Sequence, residues 1–291
     1  MRRLCLDRPL RLLAPAKLNL GLEVVGRRPD GYHEVVTILQ AVSIFDRIEL
    51  TPAERFSYQA THDLPLDDDL AYRAVEVARD AFDVEPAFAL HVAKHIPVAA
   101  GLGGSSSDAG TILAALAALA GRSIAEAEQA AARLGSDVPF FVRGGTALAT
   151  GTGATLESLP PPRQRIWFVV VVPAIAIPAK TATLYGELRP ADFSDGATVR
   201  EQAARLRRAE ALDLSRLPSA FSRPLRTREP VRQAIDALFG AGARHVTISG
   251  AGPAVFAAFP TWEVAAAVHE GDGDLRPVEE GEGAVGRPGR V

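Results

Sequence analysis

The chain has 291 residues, 47% of them hydrophobic, and a formal net charge of −3. That length buries a sizeable core and divides most naturally into two domains. The charge balance excludes the basic footprint that nucleic acids require, and the single cysteine, Cys5, excludes internal disulfides and cysteine-rich metal sites.

At the N-terminus, Asp7, Arg8 and Pro9 interrupt any signal-like apolar run. Residues 10–26 predict one or two strands, with Pro15 and Gly21 as interruptions. Within APAKLNLGL, alternation puts Lys17 and Asn19 on one face and Leu18, Leu20 and Leu22 on the other. A sheet with one solvent face is the ordinary reading of such a pattern. RRPDGYH is a turn signalled by Pro29-Asp30-Gly31, carrying Tyr32 and His33, and strand material resumes through VVTILQAVSIFDRIEL. A Tyr-His pair there serves packing or, more sharply, stacking on a base. DLPLDDD reads as a solvated loop, and Ala71, Val75, Ala78 and Phe82 have helical spacing.

After a strand-like AFALHVAKHI comes the most telling segment, PVAAGLGGSSSDAG, followed at once by the apolar helix TILAALAALAG, which ends at Gly121. Small residues let the backbone curl tightly and a ligand approach the main chain. A Gly-rich turn feeding a helix N-terminus aims N–H groups and the positive end of the dipole at one point, which suits polyphosphate. Any of Ser105, Ser106 or Ser107 is a candidate helix cap or holder of a phosphate oxygen or Mg²⁺, with Asp108 in the first turn. No Gly-Lys pair exists for a Walker loop, and Gly101 and Gly103 fit only half of the dinucleotide fingerprint.

Ser123 and Glu126 form a capping-box pattern for IAEAEQAAARL, which stops at Gly135. GSDVPFF is read as a sharp turn running into short strands. Asp137, ahead of bulky apolar residues, serves as a cap or sits in a partly dry cleft, where its basicity rises. The proline cluster at 159–165 is the expected domain boundary. It separates residues 1–160 from 166–269. Beyond it lie the buried strand IWFVVVV, helices near 180–188 and 198–212, the helix PVRQAIDALFGAG, and strands HVTISG and AVFAAF around the turn AGP. Without a regular βα alternation, α+β is the expected class. From Glu270 the tail, 270–291, has almost no apolar periodicity and is expected to be largely disordered. The longest apolar stretches are too short and Pro-broken to span a bilayer, so a cytoplasmic protein without membrane or nucleic-acid partners is expected.

Only Lys17, Lys94 and Lys180 are lysines; every other basic residue is arginine. Each lysine therefore invites a question, because a compact ammonium with rotatable donors does what a planar guanidinium does not.

Taken together, PAKLNL, DGYH, PVAAGLGGSSS, GSDVPFF and SGAGPAVF occur in the order and spacing of one family. The chain resembles the 4-diphosphocytidyl-2-C-methyl-D-erythritol kinases, of the superfamily of galactokinase, homoserine kinase, mevalonate kinase and phosphomevalonate kinase, from residue 12 to about residue 260. The Gly/Ser loop indicates the superfamily, and the other segments narrow it. The resemblance implies a two-domain fold, with an N-terminal domain like the second domain of ribosomal protein S5, a ferredoxin-like C-terminal domain, and the active site between them. It implies transfer of the ATP γ-phosphate to the substrate's 2-hydroxyl, with Asp137 as base and Lys17 beside it. Pro97, Val98, Ala99, Ala100, Gly101, Leu102, Gly103, Gly104, Ser105, Ser106 and Ser107 would wrap the ATP phosphates, with Ser105 or Ser106 near Mg²⁺. Asn19 would orient the hydroxyl. Tyr32 and His33 would receive the cytosine ring, and Tyr185 its other face.

Two departures stand out. Ser219-Ala220-Phe221-Ser222 occupies the place of the family's Asn-Asp-Phe/Leu-Glu, and Asp69 stands near the adenine side where an Asn-Leu pair is usual. Another kinase of the superfamily, of mevalonate or homoserine type, and a non-catalytic nucleotide-binding module on the same fold are the alternatives. A monomer or homodimer is expected.

Overall fold

The computed structural model describes residues 1–259, 261 and 265, and the backbone of 276–279. Two sheets organise these residues. The first has seven strands and is carried by an antiparallel pair, β2 (Leu10–Arg27) and β3 (His33–Pro52), joined by the Arg28–Tyr32 turn. Pro15 and Gly21 do not break β2. They coincide with shifts of register between Pro15 and Ala16 and between Asn19 and Leu22, so one long strand bends where two were conceivable. The other edge of β3 pairs with β5 (Val84–Ala93) through its C-terminal half and with β6 (Thr146–Gly151) through its N-terminal half. β7 (Thr155–Leu159) continues beyond β6, while β1 (Arg2–Cys5) and β4 (Ser57–Ala60) pair with β5 in parallel.

Four helices cover this sheet: α1 (Leu70–Phe82), α2 (Gly104–Ala120), α3 (Ile124–Ala132) and α4 (Val138–Arg143). Ala71, Val75, Ala78 and Phe82 are the buried stripe of α1, as their spacing requires. Gly121 ends α2 in the left-handed conformation, and both halves of the Ser123–Glu126 capping box are present. VPFFVR is a correction. Its six residues form the helix α4, because Pro139 suits a first helical turn and Val138, Phe140, Phe141 and Val142 are all buried.

The second sheet is antiparallel, in the order β11 (Arg276–Glu279), β8 (Trp167–Val171), β10 (Val255–Phe259), β9 (Val246–Ile248). That order, 4-1-3-2 in sequence terms, is the arrangement of a ferredoxin-like unit. α5 (Lys180–Gly186), α6 (Ala197–Arg207), α7 (Ser222–Arg226) and α8 (Glu229–Gly240) accompany it. Within the tail expected to be disordered, 276–279 form an edge strand against β8, and the remainder lies outside the described residues. The class is α+β. A core of Ala16, Leu18 and Leu20 with Phe168, Val199 and Phe256 joins the two sheets, which fixes the cleft between them. Among the described residues no helix is long and apolar enough to cross a membrane.

Candidate active site

The alternation in PAKLNL does its expected work with one difference. Leu18 and Leu20 enter the core, but Lys17 and Asn19 on the opposite face are buried as well, at 4% and 3% exposure. No solvent face exists there. Burying an ammonium and an amide is costly unless both are bonded. Lys17 Nζ donates to Asn19 Oδ1 at 2.5 Å, Asn19 Nδ2 donates to Thr37 Oγ1 at 2.8 Å, and that hydroxyl donates to the Gly21 carbonyl at 2.7 Å. The Asn19 N–H donates to Ser249 Oγ, whose hydroxyl reaches the Gly101 carbonyl at 3.0 Å. The chain of bonds thus runs from β2 to the loop after β9 and into the Gly-rich segment. Burial lowers the Lys17 ammonium from its ordinary value, and the Asp137 carboxylate pulls it back up.

Asp137 stands at the N-cap position of α4 but makes no capping bond, so its carboxylate is left facing the cleft. Its Oδ2 lies 3.9 Å from Lys17 Nζ, and its side chain is 39% exposed. The two groups expected to meet do meet, across 120 positions of sequence. The partner in the dry position is Lys17, while Asp137 stands at the wetter rim.

The Gly-rich loop wraps the same cleft. Gly101 has φ +88°, and a Cβ there would lie 2.4 Å from the Ser249 carbonyl oxygen; Gly103 has φ +74°, and its Cβ would strike Phe141 at 2.7 Å. Only glycine fits either place. The serine expectation needs correcting. The N-cap of α2 is Gly103, so Ser105, Ser106 and Ser107 are inside the first turn and none of them caps. Ser105 and Ser106 line the cleft together with Pro97, Val98, Ala99, Ala100, Gly101, Gly103 and Gly104. Leu102 and Ser107 do not: both side chains are buried, and Leu102 contributes its carbonyl to the Lys17 N–H at 2.9 Å. At a helix start the N–H groups of Gly104, Ser105 and Ser106 lack intrahelical acceptors and point outward.

Aromatic residues stand at the other end of the cleft. Tyr32, on the β2–β3 turn, is 67% exposed. His33 and Tyr185 have ring centroids 4.8 Å apart and pack on each other, so no third ring enters between those two. Tyr185 rests edge-on against buried Phe221 at 5.0 Å, which gives the departing Ser219–Ser222 segment a use. That segment also joins β2 through main-chain bonds, Leu22 N–H to the Pro218 carbonyl and Ala220 N–H to the Leu22 carbonyl. The Asp137 charge and burial push the Tyr185 hydroxyl up to about 12, burial being the larger cause.

Asp69 is a second correction. It is buried as the N-cap of α1, accepting from the Ala71 N–H and from Tyr58, with His62 Nε2 at 3.0 Å from its Oδ2. It is a structural carboxylate and is absent from the cleft lining. Lys94, beside the loop, donates to both Asp46 and Asp108. Sequence reasoning gave no role to Thr37, Ser249 or Lys180. The first two resemble any buried hydroxyl residue, whereas Lys180 had the signal of lysine's rarity: all three lysines line the cleft.

The cleft has a volume of about 1080 Å³, at the top of the usual range for small-molecule sites. Among the described residues its charged lining is Lys17, Arg27, Lys94 and Lys180, with His33, against Asp137 as the one carboxylate. Such a lining favours polyanions.

Comparisons with known proteins agree with this geometry. The family described as GHMP kinases N terminal domain matches residues 69–145, and GHMP kinases C terminal matches residues 200–271. A 4-diphosphocytidyl-2-C-methyl-D-erythritol kinase of Dehalococcoides mccartyi is 39% identical over 252 residues, covering 85% of this chain and 88% of its own. One from Synechococcus is 38% identical over 277 residues, covering 88% and 86%. A crystal structure of 4-(cytidine 5'-diphospho)-2C-methyl-D-erythritol kinase superposes with a TM-score of 0.78 at 32% identity, covering 94% of this chain and all of that one. A homoserine kinase from Cytophaga hutchinsonii shares the fold at 18% identity and a TM-score of 0.69. By identity over most of its length, by both domain matches and by a cleft that joins a lysine–aspartate pair to a glycine-rich cradle, the chain belongs to the 4-diphosphocytidyl-2-C-methyl-D-erythritol kinase family of the GHMP kinases.

Proposed function

We propose that the cleft transfers the γ-phosphate of ATP to the 2-hydroxyl of 4-diphosphocytidyl-2-C-methyl-D-erythritol, giving the 2-phosphate and ADP, a step of the non-mevalonate route to isoprenoid precursors. The observation that carries this reading is the 3.9 Å approach of Lys17 and Asp137 beside the Gly-rich loop. Asp137 takes the proton of the attacking hydroxyl and passes it to solvent at the rim. The Lys17 ammonium beside that carboxylate offsets charge growing on the nucleophilic oxygen. Asn19 fixes the ammonium through Oδ1 and orients the hydroxyl. Little covalent chemistry falls to the protein in phosphoryl transfer; alignment and charge stabilisation dominate.

The phosphates lie in the main-chain cradle from Pro97 to Gly104, at the start of α2. The cytosine ring stacks on Tyr32, with His33 bonding its edge and Tyr185 closing the far side. Among the described residues no three carboxylate, histidine or cysteine groups converge on a metal position. The donors present instead suit a Mg²⁺ held by the nucleotide's own phosphates with a hydroxyl of Ser105 or Ser106, the usual habit of this ion. Bound there, it would neutralise phosphate charge. The proposed division into residues 1–160 and 166–269 puts β1–β7 in one part and β8–β10 in the other, with the proline-rich link between β7 and β8; β11, which pairs with β8, lies beyond residue 269.

Replacing Asp137 with Asn tests the assignment. Loss of a general base costs typically 10²–10⁴-fold. Turnover in an ADP-release assay is expected to fall by about that factor, while ATP affinity by calorimetry stays within about twofold. A D137N enzyme with near-normal turnover removes Asp137 from the mechanism.

A further inference from the structure

Lys180 opens α5, in the second lobe, yet its side chain reaches across to the Gly-rich loop. Its Nζ donates to the Ala99 carbonyl at 2.7 Å and to the Gly252 carbonyl. Those two oxygens belong to different lobes: Ala99 to the cradle, Gly252 to the turn between β9 and β10. An ammonium has three donors, so one remains for the cleft that Lys180 lines.

The backbone on both sides of this contact is held where L-residues are uncommon. Ala99, whose carbonyl accepts, has φ +55°, and Ala179, immediately before Lys180, has φ +43°. Each such residue is costly and persists where surrounding structure demands it. A lysine tying down two strained segments is a costly way to satisfy two carbonyls that water would otherwise solvate. Its placement beside the cradle supplies the reason.

We propose that Lys180 is a nucleotide-binding residue in which the second lobe clamps the terminal phosphates against the Gly-rich loop, its free donor meeting the β- or γ-phosphate while the other two hold Ala99 and Gly252. The inference rests on the cleft being the ATP site. Lys17 is the charged neighbour that Lys180 feels, and Lys17 is itself 3.9 Å from Asp137; Tyr185, five residues along α5, packs on His33, and Lys94 is engaged by its own carboxylates. Burial first, and the Lys17 charge second, bring the Lys180 ammonium down to about 8. An ammonium poised so low binds a polyanion by regaining full protonation, and that attraction fades as pH rises through 8.

Calorimetric titration of the whole chain with Mg·ATP and with AMP, from pH 7.5 to 9.5, tests this for wild type, K180R and K180M. Above pH 7.5 the phosphates are already ionised, so any slope belongs to the protein. Wild type is expected to lose about tenfold in ATP affinity per pH unit above 8, as one required proton is titrated away. K180R, charged throughout, is expected to hold its ATP affinity at high pH. K180M is expected to bind ATP at least tenfold more weakly at pH 7.5 with a flat profile. AMP, lacking the outer phosphates, is expected to bind all three alike, and equal AMP binding also certifies the fold of the variants. K180M matching wild type for ATP, or losing AMP and ATP equally, overturns the clamp and leaves the kinase reading standing. A wild type that binds ATP no better than AMP overturns the nucleotide reading itself.

Discussion

Lys17 occupies a position that an arginine could not take over. Its ammonium is enclosed by Asn19, Asp137 and the loop backbone, and the Cγ of its stem is what a Cβ at Gly103 would meet at 3.1 Å. A planar guanidinium needs more width and a different array of acceptors. In a chain that uses arginine almost everywhere, the survival of lysine at 17 and 94 follows from such confinement. Tyr32 presents the opposite case, a large ring left 67% exposed at the cleft. Its N–H is fixed by Asp30 Oδ1 at 3.1 Å, and Arg28 pairs with both Asp30 and Glu34, so the turn is braced while the ring stays free. Stacking of a base on an aromatic ring is worth about 1–3 kcal/mol by alanine substitution. Y32A is therefore expected to raise KM for the cytidyl substrate about 5- to 150-fold, with the melting temperature and ATP affinity unchanged. Equal loss of both ligands in a binding titration contradicts the stacking role.

The N-terminus of α2 joins binding and stability in one turn of helix. Its outward serines line the cleft, whereas the inward Ser107 and Asp108 are buried, and Asp108 shares the Lys94 ammonium with Asp46. Two carboxylates facing one cation in a dry place cannot both ionise freely. Burial, with a further push from Asp46, raises the Asp108 carboxyl to about 7 against the pull of Lys94. A folded-state value above the unfolded one, near 3.8, contributes stability that is complete below 3.8 and lost as pH climbs through 7. Urea unfolding of D108N is thus expected to show a flatter dependence on pH between 4 and 7 than wild type, the difference amounting to a few kcal/mol. Identical slopes would show that Asp108 ionises as freely folded as unfolded.

Local pattern was legible wherever one face of one element decided the outcome. The stripe of α1, the capping box of α3, the strands β2 and β3 and the αL end of α2 follow from spacing and cap chemistry alone. The misreadings share a cause in distant contacts. VPFFVR became helical because Phe141 packs on α2 near Gly110, where a Cβ would meet it at 2.6 Å. The burial of Lys17 and Asn19 depends on Thr37 and Ser249, and no alternation within β2 announces it.

Across the molecule, the two sheets are joined by one shared core, and the cleft is lined from both sides. Its positive wall suits the phosphates of a nucleotide and of a diphosphate substrate. The same fold serves homoserine and mevalonate kinases at 18% and 15% identity, so the fold leaves the acceptor open. On the proposed reading, the acceptors are separated by the aromatic end of the cleft, lined by Tyr32, His33 and Tyr185, which a small hydroxy acid has no ring to engage. ADP release with Mg·ATP is the decisive measurement, made in parallel with 4-diphosphocytidyl-2-C-methyl-D-erythritol, mevalonate and homoserine. ADP is expected to form in step with a product phosphorylated at the 2-hydroxyl of the cytidyl substrate, with kcat/KM at least about a hundredfold above either small acceptor. ADP release that is absent with the cytidyl substrate, or as fast with mevalonate or homoserine, would contradict the assignment.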